Sequence, residues 1–183
     1  MDSKYMDGEL PSHFADRVGY AYSSNLNKDR KKEYGQYFTP IKIADYMSSL
    51  CTKLNETVLN ILDPGCGTGT LSCSLVEFLA QKSTILNEIN LTSYELDANL
   101  LPYTNKVFEY LAVWIKKEYP YIIFHYKIIN NDFILDNQST FDEATFFTPN
   151  ETSKRFDIII SNPPYFKISK SDERATIASS IVH

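Results

Sequence analysis

Residues 57–70, TVLNILDPGCGTGT, constrain this chain more than any other stretch. The short, largely apolar and β-branched run 57–62 ends in Asp63-Pro64-Gly65, which reads as a strand entering a tight turn. Gly65, Gly67 and Gly69 let the backbone bend sharply and approach a ligand with no Cβ in the way. Leu71, Leu75, Phe78 and Leu79 then recur at helical spacing. A strand, a glycine turn and a helix in direct succession call for an α/β unit.

The rest of the chain repeats that alternation. Thr39-Pro40 looks like a helix start, with a hydroxyl N-cap before proline, and Ile43, Met47, Leu50 and Leu54 give the helix an apolar stripe. Residues 90–95 read as a second strand ending at Glu95, and Leu100, Val107, Leu111 and Trp114 stripe a long helix up to Lys117. A third strand is expected over 121–130, closing at Asn131-Asp132-Phe133, and a fourth over 156–160, running into Ser161-Asn162-Pro163-Pro164-Tyr165. The expected fold is a Rossmann-like α/β domain, a partial and mostly parallel sheet with helices on both faces. Ligands of such sheets bind beyond the carboxyl ends of the strands. Asp63, Glu95, Asp132 and Asn162 all fall at those ends, which points to one cleft.

Each segment has its own chemistry. A dinucleotide fingerprint would place its third glycine at Thr70, whereas the G-x-G-x-G spacing here fits S-adenosylmethionine enzymes better. A glycine loop alone is also compatible with a plain structural turn. Glu95 can accept hydrogen bonds from both ribose hydroxyls of a nucleoside cofactor, or be an ordinary solvated strand-end acid. Asp97 is expected to cap the following helix. Asp132 can accept from an adenine amine while Phe133 stacks on the ring, although N-N-D is equally good turn chemistry.

Residues 162–165, NPPY, are the most specific. Two prolines fix φ and remove two donors, leaving carbonyl oxygens toward the cleft. An aromatic amine is a poor nucleophile because its lone pair is delocalised. Accepting its two hydrogens on the Asn162 side-chain oxygen and the Pro163 carbonyl localises that pair for attack on a sulfonium methyl. Tyr165 offers a flat face to the substrate ring. The competing reading is a rigid Pro-Pro turn.

Together these segments resemble the adenine-specific DNA methyltransferases of the gamma motif order, in which the cofactor motifs precede the catalytic one. GQYFTP (35–40) resembles their N-terminal cofactor motif, DPGCGTG (63–69) the glycine loop, YELD (94–97) the ribose-binding acid, NDF (131–133) the adenine contact and NPPY the catalytic tetrapeptide. The resemblance covers about residues 30–170. It implies S-adenosyl-L-methionine as cofactor, with Tyr37, Phe38 and Thr39 around its methionine end. Asp63, Pro64, Gly65, Cys66, Gly67, Glu95, Leu96, Asp132, Phe133 and Asn162 are the other expected cofactor contacts. It implies Asn162, Pro163, Pro164 and Tyr165 as catalytic residues, no metal, and a place in a restriction-modification or phage-defence system. Residues 1–34 are expected to be a polar, helical arm and residues 35–183 the methyltransferase domain. The target-recognition parts are expected beyond His183 or on another subunit.

Composition limits the partners. Net charge is −5, from 23 acids against 18 basic residues, so the chain by itself has little with which to neutralise DNA phosphates. Double-stranded DNA is therefore expected to be held through regions largely outside it. The basic cluster 28–32 is either a solvated helix face or a phosphate contact. No apolar run approaches the roughly 18 residues of a membrane span. Cys51, Cys66 and Cys73 show neither disulfide nor zinc spacing, so a cytoplasmic setting with reduced thiols is expected. Two other functions remain open: methylation of a protein glutamine or an RNA amine, and a cofactor-binding module without catalysis. Cytosine ring-carbon methylation is disfavoured, since no Pro-Cys nucleophile occurs.

Overall fold

The computed structural model describes residues 4–25, 38–137, 156–163, 172–175 and 177. Its elements are α1 (Pro11–Ser24), α2 (Ile41–Ser49), β1 (Val58–Asp63), α3 (Thr70–Lys82), β2 (Glu88–Tyr94), α4 (Leu101–Glu118), β3 (Ile123–Ile129), α5 (Phe133–Asp136) and β4 (Ile158–Ile159). The four strands are parallel, in the order β3-β2-β1-β4. The chain leaves β1 in one direction along the sheet and returns to β1's other side for β4. That reversal opens a crevice beyond the strand ends.

Register shows why these sequences make strands. Leu59, Ile89 and Phe124 lie side by side, as do Ile61, Leu91 and Tyr126, so one face of the sheet is continuously apolar. Leu59, Ile61, Ile89 and Leu91 are almost wholly buried there. Helices α1, α2, α3 and α4 contact one another in a single layer, and α4 lays Phe108 edge-on against Tyr126 of β3. The opposite face is more polar: Asn60, Asn90 and His125 are in register, and Asn90 Nδ2 donates to Asn60 Oδ1.

Two elements differ from the sequence expectation. The α2 stripe is rotated: Ile43 and Leu50 are exposed, while Ala44 and Ser48 are buried. The cause is a seam of small polar residues, in which Ser48 Oγ meets Ser74 Oγ at 3.0 Å and Ser74 Oγ donates to Asp45. Nor does Thr39 cap α2. The N-cap is Pro40, and the Ile41 amide donates instead to Asp16 of α1, 3.2 Å away. The fourth strand is only two residues long.

The N-terminal region contributes to the core. Helix α1 buries Phe14, Ala15, Val18 and Tyr22 and packs against α3 and α4. Its first turn is held by Glu77 of α3, whose carboxylate accepts from both the amide and the hydroxyl of Ser12, each at 2.7 Å. Burial pushes the Glu77 carboxyl up to about 7.

Candidate functional site

The glycine turn is shaped by its own residues. Gly67 and Gly69 have φ of +57° and +89°, where a side chain would be strained. Gly69 is the N-cap of α3, so the free amides of that helix begin at the cleft. Asp63 is buried and does not face solvent: it accepts from the Gly65 amide at 3.2 Å and from Ser72 Oγ at 2.6 Å. It thereby ties the turn to the first turn of α3, and burial raises its carboxyl to about 6. Pro64 is half-buried and Gly65 exposed. The Cys66 amide donates to the Tyr94 carbonyl, joining the turn to the end of β2. Its thiol is buried and its titration pushed far up by desolvation.

Glu95 follows β2 directly and is 9% exposed. One carboxylate oxygen accepts from the Gly67 amide at 2.9 Å, the other from the Asp97 amide at 2.7 Å. Burial lifts its carboxyl to about 7, against the pull of those two bonds. Asp97 does not cap α4, as the sequence led us to expect. Its Oδ1 closes a local turn onto Asn99, and its Oδ2 accepts from the Tyr22 hydroxyl of α1 at 2.7 Å. Leu96, between the two acids, is exposed.

At the end of β3, Asp132 is the side-chain N-cap of α5, accepting from the amides of Ile134 and Leu135. The turn reading describes this residue's first oxygen, and the second faces Arg174 at 3.5 Å, so both oxygens already have partners within the chain. Phe133 is half-buried and meets Tyr94 edge-on, with ring centroids 5.1 Å apart. The Asn130 side chain donates to the Glu95 and Leu96 carbonyls, holding the β2 and β3 ends together.

Two distant motifs meet here. Phe38 lies against the glycine turn: a Cβ added to Gly67 would approach its ring at 3.2 Å, and one added to Gly19 would approach it equally closely. Asn162 Nδ2 donates to Thr39 Oγ1 at 3.0 Å across 123 residues of sequence. In this orientation the amide turns Nδ2 to Thr39, with Oδ1 as its acceptor end. Pro163 follows, exposed. Tyr37, Pro164 and Tyr165 lie outside the described residues, as does the basic cluster 28–32.

The sequence reading missed four residues that build this region. Gly19 admits the close approach of α1, where a Cβ would meet Thr68 Oγ1 at 2.9 Å. Thr104 Oγ1 on α4 donates to the Gly67 carbonyl at 2.7 Å. Tyr22 and Arg174 are the others. A glycine inside a helical pattern was a usable signal for Gly19. The remaining three sit far along the chain from the motifs they serve, and nothing in their neighbours marks them.

This chain is similar to known proteins along most of its length. It is 32% identical to the type II methyltransferase M.BsuBI of Bacillus subtilis over 144 residues, 78% of this chain and 26% of that protein. It is 24% identical to the type I restriction enzyme MpnII methylase subunit of Mycoplasma pneumoniae, over 99% of this chain and 31% of that subunit. In fold it matches a crystal structure of a candidate class I S-adenosylmethionine-dependent methyltransferase from Listeria monocytogenes, with a TM-score of 0.60 at 16% identity, covering 96% of this chain and 46% of that one. The chain thus spans less than a third of the length of these curated relatives. Among the described residues no helix is long and apolar enough to cross a membrane. The sequence profile of the N-6 DNA Methylase family matches residues 14–179, and the chain belongs to that family.

Proposed function

We propose that this chain binds S-adenosyl-L-methionine beyond the carboxyl ends of β1, β2 and β3. In the whole protein it would form the catalytic part of an enzyme that methylates the exocyclic amine of adenine in double-stranded DNA, within a restriction-modification system. The observation that supports this best is the hydrogen bond from Asn162 to Thr39, which joins one residue of each of the two outlying motifs beside the glycine turn.

The donor set suits the cofactor. Each Glu95 oxygen already accepts one amide and retains a lone pair, so the carboxylate can take both ribose hydroxyls. The close contact of Gly67 with Phe38 leaves no room for a side chain between them, as a pocket for a compact ligand requires. Phe133 and Leu96 flank the adenine end, and Phe38 and Thr39 the methionine end. Asp63 acts through the turn it holds. Bound S-adenosylmethionine supplies a methyl group on a cationic sulfur.

The target side needs acceptors and orientation more than a strong base. Thr39 holds the Asn162 amide by its nitrogen, so Oδ1 accepts one hydrogen of the adenine amine. The Pro163 carbonyl accepts the other. Both bonds would favour a pyramidal nitrogen with a localised lone pair; as it gained the methyl, the carbon–sulfur bond would break to leave S-adenosylhomocysteine, and the surplus amine proton would pass to solvent. To Pro164 we assign the stiffness of a fixed φ and to Tyr165 a flat face for the target ring. That ring must leave the duplex stack, which costs a few kcal/mol and calls for a grip on the flanking DNA. We assign that grip to a recognition domain or a specificity subunit, since the chain's net charge is −5. The cytoplasm is the compartment in which such a substrate is met.

The test is methyl transfer from labelled cofactor by the full-length protein to duplex DNA, followed by nucleoside analysis. N6-methyladenine is expected. Label on protein glutamine or RNA, with none on DNA adenine, would overturn the substrate assignment.

A further inference from the structure

Helix α1 reaches the cofactor cleft by a route that none of the motifs describes. Tyr22, in its last two turns, is 8% exposed, and its hydroxyl donates to Asp97 Oδ2 at 2.7 Å. Asp97 is 2% exposed, and its own amide donates to Glu95 Oε1 at 2.7 Å. Glu95 Oε2 in turn accepts from the Gly67 amide. One hydrogen-bonded chain therefore runs from α1 through the β2–α4 connection to the glycine turn.

Nothing about α1 leaves this end loose. Ser12 is clamped to Glu77 at the start of the helix, and Gly19 lets its middle approach Thr68 and Phe38. The Tyr22 ring is gripped edge-on by Phe38 and Tyr103, with centroids 6.2 and 5.6 Å away. The hydroxyl is thus delivered to a fixed point. Asp97 is a buried acid beside a second buried acid, so a charge-directed donor on its outer oxygen both stabilises it and fixes its plane. Once Asp97 is fixed, so is the direction of the amide on which Glu95 rests.

We propose that Tyr22 is a positioning residue for cofactor binding, acting through Asp97 to aim the Glu95 carboxylate at the ribose of the ligand. The inference rests on the S-adenosylmethionine reading of the cleft. It separates two parts of α1: the ring of Tyr22 packs, while its hydroxyl orients.

Tyr22→Phe keeps the ring and deletes the hydroxyl. Calorimetry on the full-length protein should compare S-adenosylhomocysteine with its 2′-deoxyribose analogue, on the unsubstituted protein and on the variant. The unsubstituted protein should lose roughly 10-fold in affinity when the ribose hydroxyl is removed, as expected for a bond to a carboxylate. Tyr22→Phe should bind S-adenosylhomocysteine roughly 3- to 10-fold more weakly, and its penalty for the missing ribose hydroxyl should shrink to about 3-fold or less. Asp97→Asn should show the same shrunken penalty, which serves as the second arm if Tyr22→Phe folds poorly. Equal loss of affinity for both ligands, or no loss, would mean that Tyr22 only packs and would overturn the proposal. Failure of the unsubstituted protein to bind S-adenosylhomocysteine or S-adenosylmethionine at all would overturn the cofactor reading along with it.

Discussion

At the glycine turn, Asp63, Glu95 and Asp97 are 1%, 9% and 2% exposed, and backbone amides, hydroxyls or both bond to each. At the other end of the cleft, Asn162 follows a strand of two residues on the edge of the described sheet and donates to Thr39 Oγ1 across 123 residues of sequence. The first region is a rigid mould whose polar groups are largely satisfied by neighbours close in the fold. The second includes a loop residue, Asn162, tied to Thr39 in a segment far away in sequence. On the proposed function, the first region holds an invariant small molecule, which a preformed mould suits. The second receives a base swung out of DNA, so its geometry is completed only when that base arrives. The comparison predicts that damage at the two ends will appear in different measurements.

The largest effect is expected at the loop. Asn162→Ala in the full-length protein should reduce methyl transfer by at least about 100-fold, as removal of a positioned electrostatic group does. Affinity for the cofactor should stay within a few-fold of the unsubstituted protein. Single-turnover transfer and calorimetry on the same preparation separate the two. A large loss of cofactor affinity would show that the catalytic loop belongs to the cofactor mould, and the contrast would fail.

Glu95→Ala should produce the converse pattern. Losing a charged acceptor should weaken cofactor binding by roughly 1–3 kcal/mol, with transfer recovering at saturating cofactor. Transfer that stays depressed at saturation would mean that Glu95 also shapes the reacting geometry.

The buried acids of the mould set a third, gentler expectation. Desolvation raises Glu77 and Glu95 to about 7 and Asp63 to about 6, from ordinary values of 4.5, 4.5 and 3.8. Between the ordinary and raised values the folded protein holds more protons than the unfolded chain, so stability falls as pH rises through that window and levels off above it. Thermal melting between about pH 5 and about pH 8 should show this decline. Glu77→Gln should flatten part of it while weakening the Ser12 clamp, since an amide offers one acceptor oxygen where the carboxylate offers two. A flat profile in the unsubstituted protein would contradict the burial of these acids.

How much of this the sequence revealed depended on range. The turn 63–69 and Glu95 were readable because strand, glycines and helix follow one another, and the chemistry lies within a few residues of its cause. The ends of β1, β2 and β3 came out within about two residues for the same reason. Helix α1 was taken for a polar arm because its buried residues, Phe14, Ala15, Val18 and Tyr22, are diluted by serine, glycine, arginine and aspartate. Some of those polar residues have partners far along the chain, as Ser12 with Glu77, 65 positions away, shows. Thr39 was given to its own helix when its partner is Asn162, and the α2 stripe was rotated by a Ser–Ser seam that no periodicity contains. Local grammar located the glycine turn and its acids. The loop's contacts needed the fold.

The smallest expected effect tests where the mould stops. Ser93 lies on the apolar face of β2, in register between Asp63 and Ile128, and is fully buried. Its hydroxyl has no hydrogen-bond partner among the described residues. A buried hydroxyl without a partner costs stability, so Ser93→Ala should be neutral or stabilising by up to about 1 kcal/mol. On the proposed cofactor reading, affinity should not change, because the ligand-facing end of the strand is assigned to Glu95, two residues on. Denaturant melts and calorimetry on the same variant check both halves of that expectation. Raised stability with unchanged affinity would place the boundary of the mould between Ser93 and Glu95. A drop in affinity would mean that the Ser93 hydroxyl waits for the ligand. The rigid region would then extend deeper into the sheet, further from the loop it is contrasted with.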